Sequence, residues 1–230
     1  MSEGTVLRYI YFIITIPVII LGYICLVFNI FQMKYKLNEC IELIDEKYSE
    51  IPNFYVSYLI AAEDHRSNFH YGIDQVGMIR AIFKWFFSRQ LEGASTIEQQ
   101  FARVVTEDYS YSLSRKLKEQ ILAVMLVRKR KKIDIARAYL AIAYYGHDCE
   151  GTEGILSLAD SNLRLVSEIQ IISIVARLKY PEPSINTDKW ETKLDYRVSY
   201  IKRRHQRLIK KSKHQMTNVI AQEVKYKPLI

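Results

Sequence analysis

Glycine and proline are scarce in this chain: eight glycines and five prolines stand among 230 residues, and they never gather into a run. That excludes a flexible or polyproline spacer of the kind that separates two folded bodies. The expected organisation is one apolar leader and one domain of about two hundred residues, with no second catalytic domain. Cysteine is scarcer still. Cys25, Cys40 and Cys149 form no CxxC pair and lack metal-ligand spacing, so neither a zinc site nor a disulfide framework is indicated. The redox compartment stays open. Strand signals are few, and there is no internal repeat or low-complexity segment.

What is present begins with a run free of charge from Tyr9 to Phe31, longer than the roughly 20 residues that cross a hydrocarbon core as a helix. It reads as a retained transmembrane helix. The apolar core of a cleaved signal peptide is about 7 to 15 residues and ends in small residues, whereas Asn29-Ile30-Phe31-Gln32 ends this one. Pro17 and Gly22 inside the run are tolerated in a membrane helix. Arg8 precedes the run while Lys34 and Lys36 follow it, so the positive-inside count favours a cytoplasmic domain by one charge. The formal net charge of +8 arises largely in Arg128 to Lys132 and in Lys189 to Lys227. It suits lipid headgroups or a diphosphate, or a merely solvated basic surface. Nucleic acid has only net charge behind it and is not an expected partner.

The expected divisions are a short tail over 1–8, the transmembrane helix over 9–31, a polar connection or helix over 32–50, one mainly α domain over 51–208, and a basic tail over 209–230. In Leu113 to Val127, apolar residues at Leu117, Ile121, Leu122, Val124 and Met125 predict one buried helix face. Ile133 to Tyr145 repeats the habit. Glu168 to Leu178 is apolar on most sides and suits a central helix, ended by Pro181 and Pro183. Gly77 to Gln90 crowds Met78, Ile79, Ile82, Phe83, Trp85, Phe86 and Phe87 together with Arg80, Lys84 and Arg89. Such interleaving fits either a segment lying in the headgroup layer or an ordinary core helix.

Three polar clusters adjoin apolar sequence: Glu63-Asp64 with His70 and Gly72-Ile73-Asp74; Gly93 to Gln100; and Arg115-Lys116-Leu117-Lys118-Glu119. Singly each has a plain explanation, since paired carboxylates and Ser-Thr pairs cap helices and Arg115 with Glu119 suits a surface ion pair. Together they resemble the signature of the bacterial peptidoglycan glycosyltransferases, the module of bifunctional penicillin-binding proteins and of monofunctional membrane-bound transglycosylases. The resemblance runs from Ala61-Ala62-Glu63-Asp64 with His70, Gly72, Ile73 and Asp74, through Gly93-x-Ser95-Thr96-Ile97-x-Gln99-Gln100, to Arg115-Lys116-x-x-Glu119. It continues in Lys132-Ile133-Asp134-Ile135 with Tyr139-Leu140 and Tyr144-Tyr145-Gly146, and closes in Arg197-Val198-x-Tyr200 with Arg203-Arg204. It covers roughly 51–208.

The resemblance implies a lysozyme-like helical domain that polymerises a lipid-linked disaccharide-peptide, with Glu63 as general base and Asp64 tuning or orienting it. Arg103, Arg115 and Lys116 would stabilise the departing lipid diphosphate, Glu119 would orient those cations or a metal on the donor side, and Ser95, Thr96, Gln99 and Gln100 would meet sugar and phosphate oxygens. His70 is expected to be structural. No metal ligands are assigned, although Mg or Mn could assist at the diphosphate. The implied partners are the lipid-linked precursor, the bilayer and other cell-wall synthesis proteins. The implied place is a bacterial plasma or inner membrane, the domain outside the cytoplasm, against the one-charge count. Six positions depart from the family pattern: Ser67 for phenylalanine, Glu98 for threonine, Arg103 for lysine, Val104 for asparagine, Tyr111 for arginine and Ala141 for asparagine. A non-catalytic scaffold of the same fold and a lytic, glycan-cleaving enzyme remain the alternatives.

Overall fold

A computed structural model of the chain describes residues 3–90, 93–159, 162–185 and 187–225, with side chains described up to Ser212. Ten helices and one small hairpin make up the described residues. In order they are α1 (Glu3–Val27), a 3-10 turn (Ile30–Gln32), α2 (Met33–Lys47), α3 (Phe54–Glu63), α4 (Gln75–Ser88), α5 (Ile97–Thr106), α6 (Leu113–Val127) and α7 (Lys132–Ile142). The hairpin β1 (Tyr144–Gly146) and β2 (Cys149–Glu150) follows, then α8 (Gly151–Leu158), α9 (Glu168–Arg177) and α10 (Asp188–Lys225).

Several boundaries follow from local chemistry. Thr96 and Gln99 form a reciprocal capping box that starts α5, and Ser167 with Gln170 does the same for α9. Ser112 accepts from the Arg115 amide to start α6, and Asp74 accepts from the Gly77 amide to start α4. Helix α6 is the hub: Ile121, Leu122, Val124 and Met125 are buried as their spacing predicts, Leu126 joins them, and Leu117, expected on the same face, is exposed because it lies nearer the start of the helix, outside the packed turns. Gly72 sits at φ +94° against α6, where a Cβ would come within 2.6 Å of the Ala123 carbonyl oxygen. Only glycine supplies both that backbone and that closeness.

The polar connection expected over 32–50 is α2, whose Met33, Leu37, Cys40 and Ile44 are buried in the core. The apolar run to Phe31 is longer than its helix. Helix α1 ends at Val27, and Asn29, Phe31 and Gln32 take left-handed backbone angles that turn the chain into α2. The span Gly4–Val27 is long and apolar enough to cross a membrane. One face of α1 lies on the domain: Tyr11 donates to Asp74 at 2.6 Å, and the Gln75 amide donates to Thr15 at 2.9 Å. The region expected as a basic tail continues α10 without a break to Lys225.

The core-helix alternative for Gly77 to Gln90 does not hold. In α4 only Gly77 is buried, while Ile82, Phe83, Phe86 and Phe87 are all more than half exposed. Contiguous exposed apolar surface of this kind marks a contact with lipid or protein.

Candidate active site

The two glutamates singled out by the sequence both reach α5, Glu63 through Gln100 and Glu119 through Arg103. Glu63 is the last residue of α3, and its carboxylate is held from two directions. Arg197 of α10 donates to Oε1 at 2.6 Å, and Gln100 of α5 donates to Oε2 at 3.3 Å. The same Arg197 nitrogen also reaches the Ala62 carbonyl at 2.9 Å, so it fixes the end of α3 as well as the side chain. Gln100 is itself oriented by the Tyr139 hydroxyl, which donates to its Oε1 at 2.9 Å.

One helical turn along α5 from Gln100, Arg103 makes a forked contact with Glu119, Nε to Oε1 at 2.7 Å and Nη2 to Oε2 at 3.2 Å. Arg115 pairs with the same Oε1, and Lys116 lies 3.5 Å from Oε2. Glu119 is 2% exposed, so three cations converge on one buried carboxylate. Lys116 and Arg103 also reach the Ser95 hydroxyl at 3.2 and 3.5 Å. Burial, with Arg103 and Arg115 close by, pulls the Lys116 pKa below its ordinary value despite Glu119. An incoming anion would relieve that crowding.

Below these groups runs a buried frame. Asp64 accepts from His70 at 2.9 Å and from the Ile97 amide at 3.4 Å. Lys132 donates to the Ser67 carbonyl at 2.5 Å and lies 3.2 Å from Glu98 and from the His70 carbonyl. His70 therefore packs and bonds as a structural residue. Thr96 and Gln99, expected to meet substrate, are buried: they satisfy each other, and Thr96 donates to the Gly72 carbonyl at 2.8 Å. Their polar groups shape the loop rather than face solvent. Asp64 likewise has its oxygens turned into the frame.

Sequence reasoning left Arg197, Lys132 and Tyr139 out of the site. Arg197 and Lys132 were visible only as members of motifs, since a contact across 134 residues leaves no local pattern. Glu98, one of the departures, is matched by Lys132, and Tyr111 is fully exposed.

Two places gather groups that could meet a divalent cation. At Glu119, one carboxylate already serves three cations, a donor set that does not fit a metal. Asp64, His70 and Glu98 bring ligand atoms within 4.8 Å of one another, but the Lys132 ammonium at Glu98 already provides the positive charge there.

Comparison with known proteins adds the family. A transglycosylase family model matches residues 36–206. This chain belongs to the transglycosylase family. Its domain accordingly has the lysozyme-like glycosyltransferase fold, and the match begins inside α2, the helix that packs into the core. The chain is 31% identical over 160 residues to "Penicillin-binding protein 1A" of Rickettsia prowazekii, covering 66% of this chain and 20% of that protein. It is 30% identical over 141 residues to "Monofunctional glycosyltransferase" of Staphylococcus epidermidis, covering 59% and 52%. It thus spans a fifth of the first relative and about half of the second.

Proposed function

We propose that this transglycosylase-family member polymerises a lipid-linked disaccharide-peptide into peptidoglycan strands, releasing the lipid diphosphate. The observation that carries the reading is the pairing along α5 of one reachable carboxylate, Glu63, with a second, Glu119, that gathers three cations. In this reading the C4 hydroxyl oxygen of one sugar attacks the anomeric carbon of another. Glu63 takes the hydroxyl proton, and the bond from anomeric carbon to diphosphate oxygen breaks with its electron pair leaving on the diphosphate. Arg103, Arg115 and Lys116 hold positions where that charge develops, so little reorganisation is needed at the moment of reaction. Glu119 orders the cations. Gln100 and Arg197 orient Glu63, and Ser95 offers a hydroxyl beside Lys116 and Arg103.

The bilayer is the second partner. Helix α1 supplies the anchor and the exposed face of α4 supplies a surface that enters the headgroup layer, where the precursor resides. The domain faces outward, where assembled precursor is delivered, and other cell-wall synthesis proteins are its expected company.

The test is polymerisation of labelled lipid-linked disaccharide by the full chain in detergent, with Glu63→Gln and Glu119→Gln alongside. Polymer from the wild type alone is expected; a Glu63→Gln protein working at the wild-type rate sinks the assignment of the base. A second reading, a non-catalytic binder of the same precursor, is favoured by Tyr111, a fully exposed aromatic where the family pattern has a cation. Folded wild-type protein that binds precursor and forms no polymer identifies that case.

A further inference from the structure

The loop between α5 and α6 exposes three large apolar groups within five residues: Tyr109, Tyr111 and Leu113. Tyr111 is fully exposed and Leu113 is 90% exposed, although Leu113 opens a helix whose later turns are buried. The backbone beneath them is firmly held. One Asp108 oxygen accepts from the Ser110 hydroxyl at 2.6 Å and from the Ser110 amide at 3.3 Å, and Lys118 reaches the other oxygen at 3.4 Å. A held loop that carries bare apolar side chains marks a contact surface.

Its position points to the occupant. Arg115 donates through Nε to the Ser110 carbonyl, and its amide donates to the Ser112 hydroxyl at 3.1 Å, so both neighbours of Tyr111 are tied to Arg115. Arg115 in turn shares Glu119 with Arg103 and Lys116, and Tyr109 stands within electrostatic reach of Arg103. The apolar groups therefore border the cation cluster that the proposed reaction gives to the departing diphosphate.

The loop is also joined to the end of α1 that leads into the domain. Lys118, which holds Asp108, lies 5.5 Å from the centre of the Phe31 ring, and Val27, Phe28 and Phe31 are exposed there. For a membrane-crossing α1 this is the level at which the chain leaves the hydrocarbon, and tyrosine suits such a boundary because its ring is apolar and its hydroxyl polar. A hydrocarbon chain joined to a diphosphate must run from the cations toward the bilayer, and this loop is tied to both. We propose that Tyr109, Tyr111 and Leu113 form a lip that holds the first part of the donor's hydrocarbon tail, next to the diphosphate, and so select a lipid diphosphate over a bare one. The proposal rests on the reading of the Glu119 cluster as a diphosphate site, and it holds for a polymerase and for a non-catalytic binder alike.

Calorimetric titration of the full chain in neutral detergent tests it, with farnesyl diphosphate and inorganic diphosphate as the two probes. The wild type should bind farnesyl diphosphate at least about tenfold more tightly, the factor that burying two methylene groups supplies. The double variant Tyr111→Ser with Leu113→Gln should keep the wild-type Tm, because both side chains are exposed. It should also keep its affinity for inorganic diphosphate and lose most of the preference for the farnesyl probe. Equal binding of the two probes by the wild type overturns the lip and leaves the diphosphate site standing. A double variant that keeps the full preference overturns it too, and leaves the lip as a bilayer contact. Binding of neither probe overturns the diphosphate site itself and the lip with it. If the double variant does not fold, Tyr111→Ser alone must cut the preference at least about threefold for the proposal to stand.

Discussion

Glu63 and Glu119 are one side chain in two surroundings. Glu63 is 17% exposed at the end of α3 and meets one guanidinium and one amide, whereas Glu119 is 2% exposed on α6 and meets three cations. The number of cations around a carboxylate, more than its place in a motif, separates a group free to take a proton from one that holds other charges in place. A carboxylate shared among three cations has its oxygens occupied; one held by a single guanidinium and a weak amide contact keeps a lone pair to offer. In the proposed reaction the site would divide acid-base work from charge stabilisation, with α5 touching both glutamates.

The comparison can be broken most directly at Glu63. Glu63→Gln should reduce polymerisation by at least about 100-fold, the usual scale of general base catalysis, while Tm moves little; an equally large fall in Tm would make Glu63 a structural residue like its counterpart. Glu119→Gln should remove polymer as well but, unlike Glu63→Gln, should also lower Tm. Removing one partner of a buried charge cluster costs about 3–5 kcal/mol, reduced here because Arg103 and Lys116 are partly exposed. A fall in Tm of about 5 °C is expected by differential scanning fluorimetry.

Arg197 sharpens the Glu63 side. Arg197→Gln should lower kcat by about 10-fold, with KM for the precursor little changed, and Arg197→Lys should restore part of it, since misplacing a base costs rate more than binding. On the Glu119 side, Arg103→Lys keeps the charge but loses the fork. The precursor KM should rise by about two- to threefold, measured by initial rates at varied precursor.

The smallest effect is a pH effect on the Glu63 side alone. His65 follows Glu63 and Asp64, and its folded pKa of about 4 lies below the unfolded value, mainly through burial. The unfolded state then binds the proton first, so the stability that His65 contributes is whole above about pH 6.5 and is lost as pH falls toward 4. Tm measured from pH 7 to 4.5 should fall less steeply in His65→Gln than in wild type.

Much of this architecture was legible in advance, and the reason is local. Helix α6 occupies Leu113–Val127 as its apolar spacing predicts, and α9 occupies Glu168–Arg177 before Pro181. Glu63, Gln100, Arg103, Arg115, Lys116 and Glu119 lie in one neighbourhood because their motifs hold them at fixed helical spacing. What escaped was long-range. The role of α2 was hidden because Met33, Leu37, Cys40 and Ile44 form a thin stripe in an otherwise polar stretch. The capture of Thr96 and Gln99 by a capping box was hidden because the same residue types serve helix starts and sugar oxygens alike. The match of Lys132 to Glu98 turned a departure from the family pattern into an internal ion pair, and no spacing rule joins those two positions.

The Arg197 contact also sets an order of events during synthesis. Glu63 and Arg197 are 134 positions apart, so at a translation rate of about 5–20 residues per second the side chain of Glu63 waits roughly 7 to 27 s for its partner to be made. A nascent chain that has already inserted its anchor and formed α3 to α6 carries an unfastened glutamate. In the proposed reaction α10 is the helix that makes it a positioned base, so a chain stalled before residue 197 would be tethered but idle.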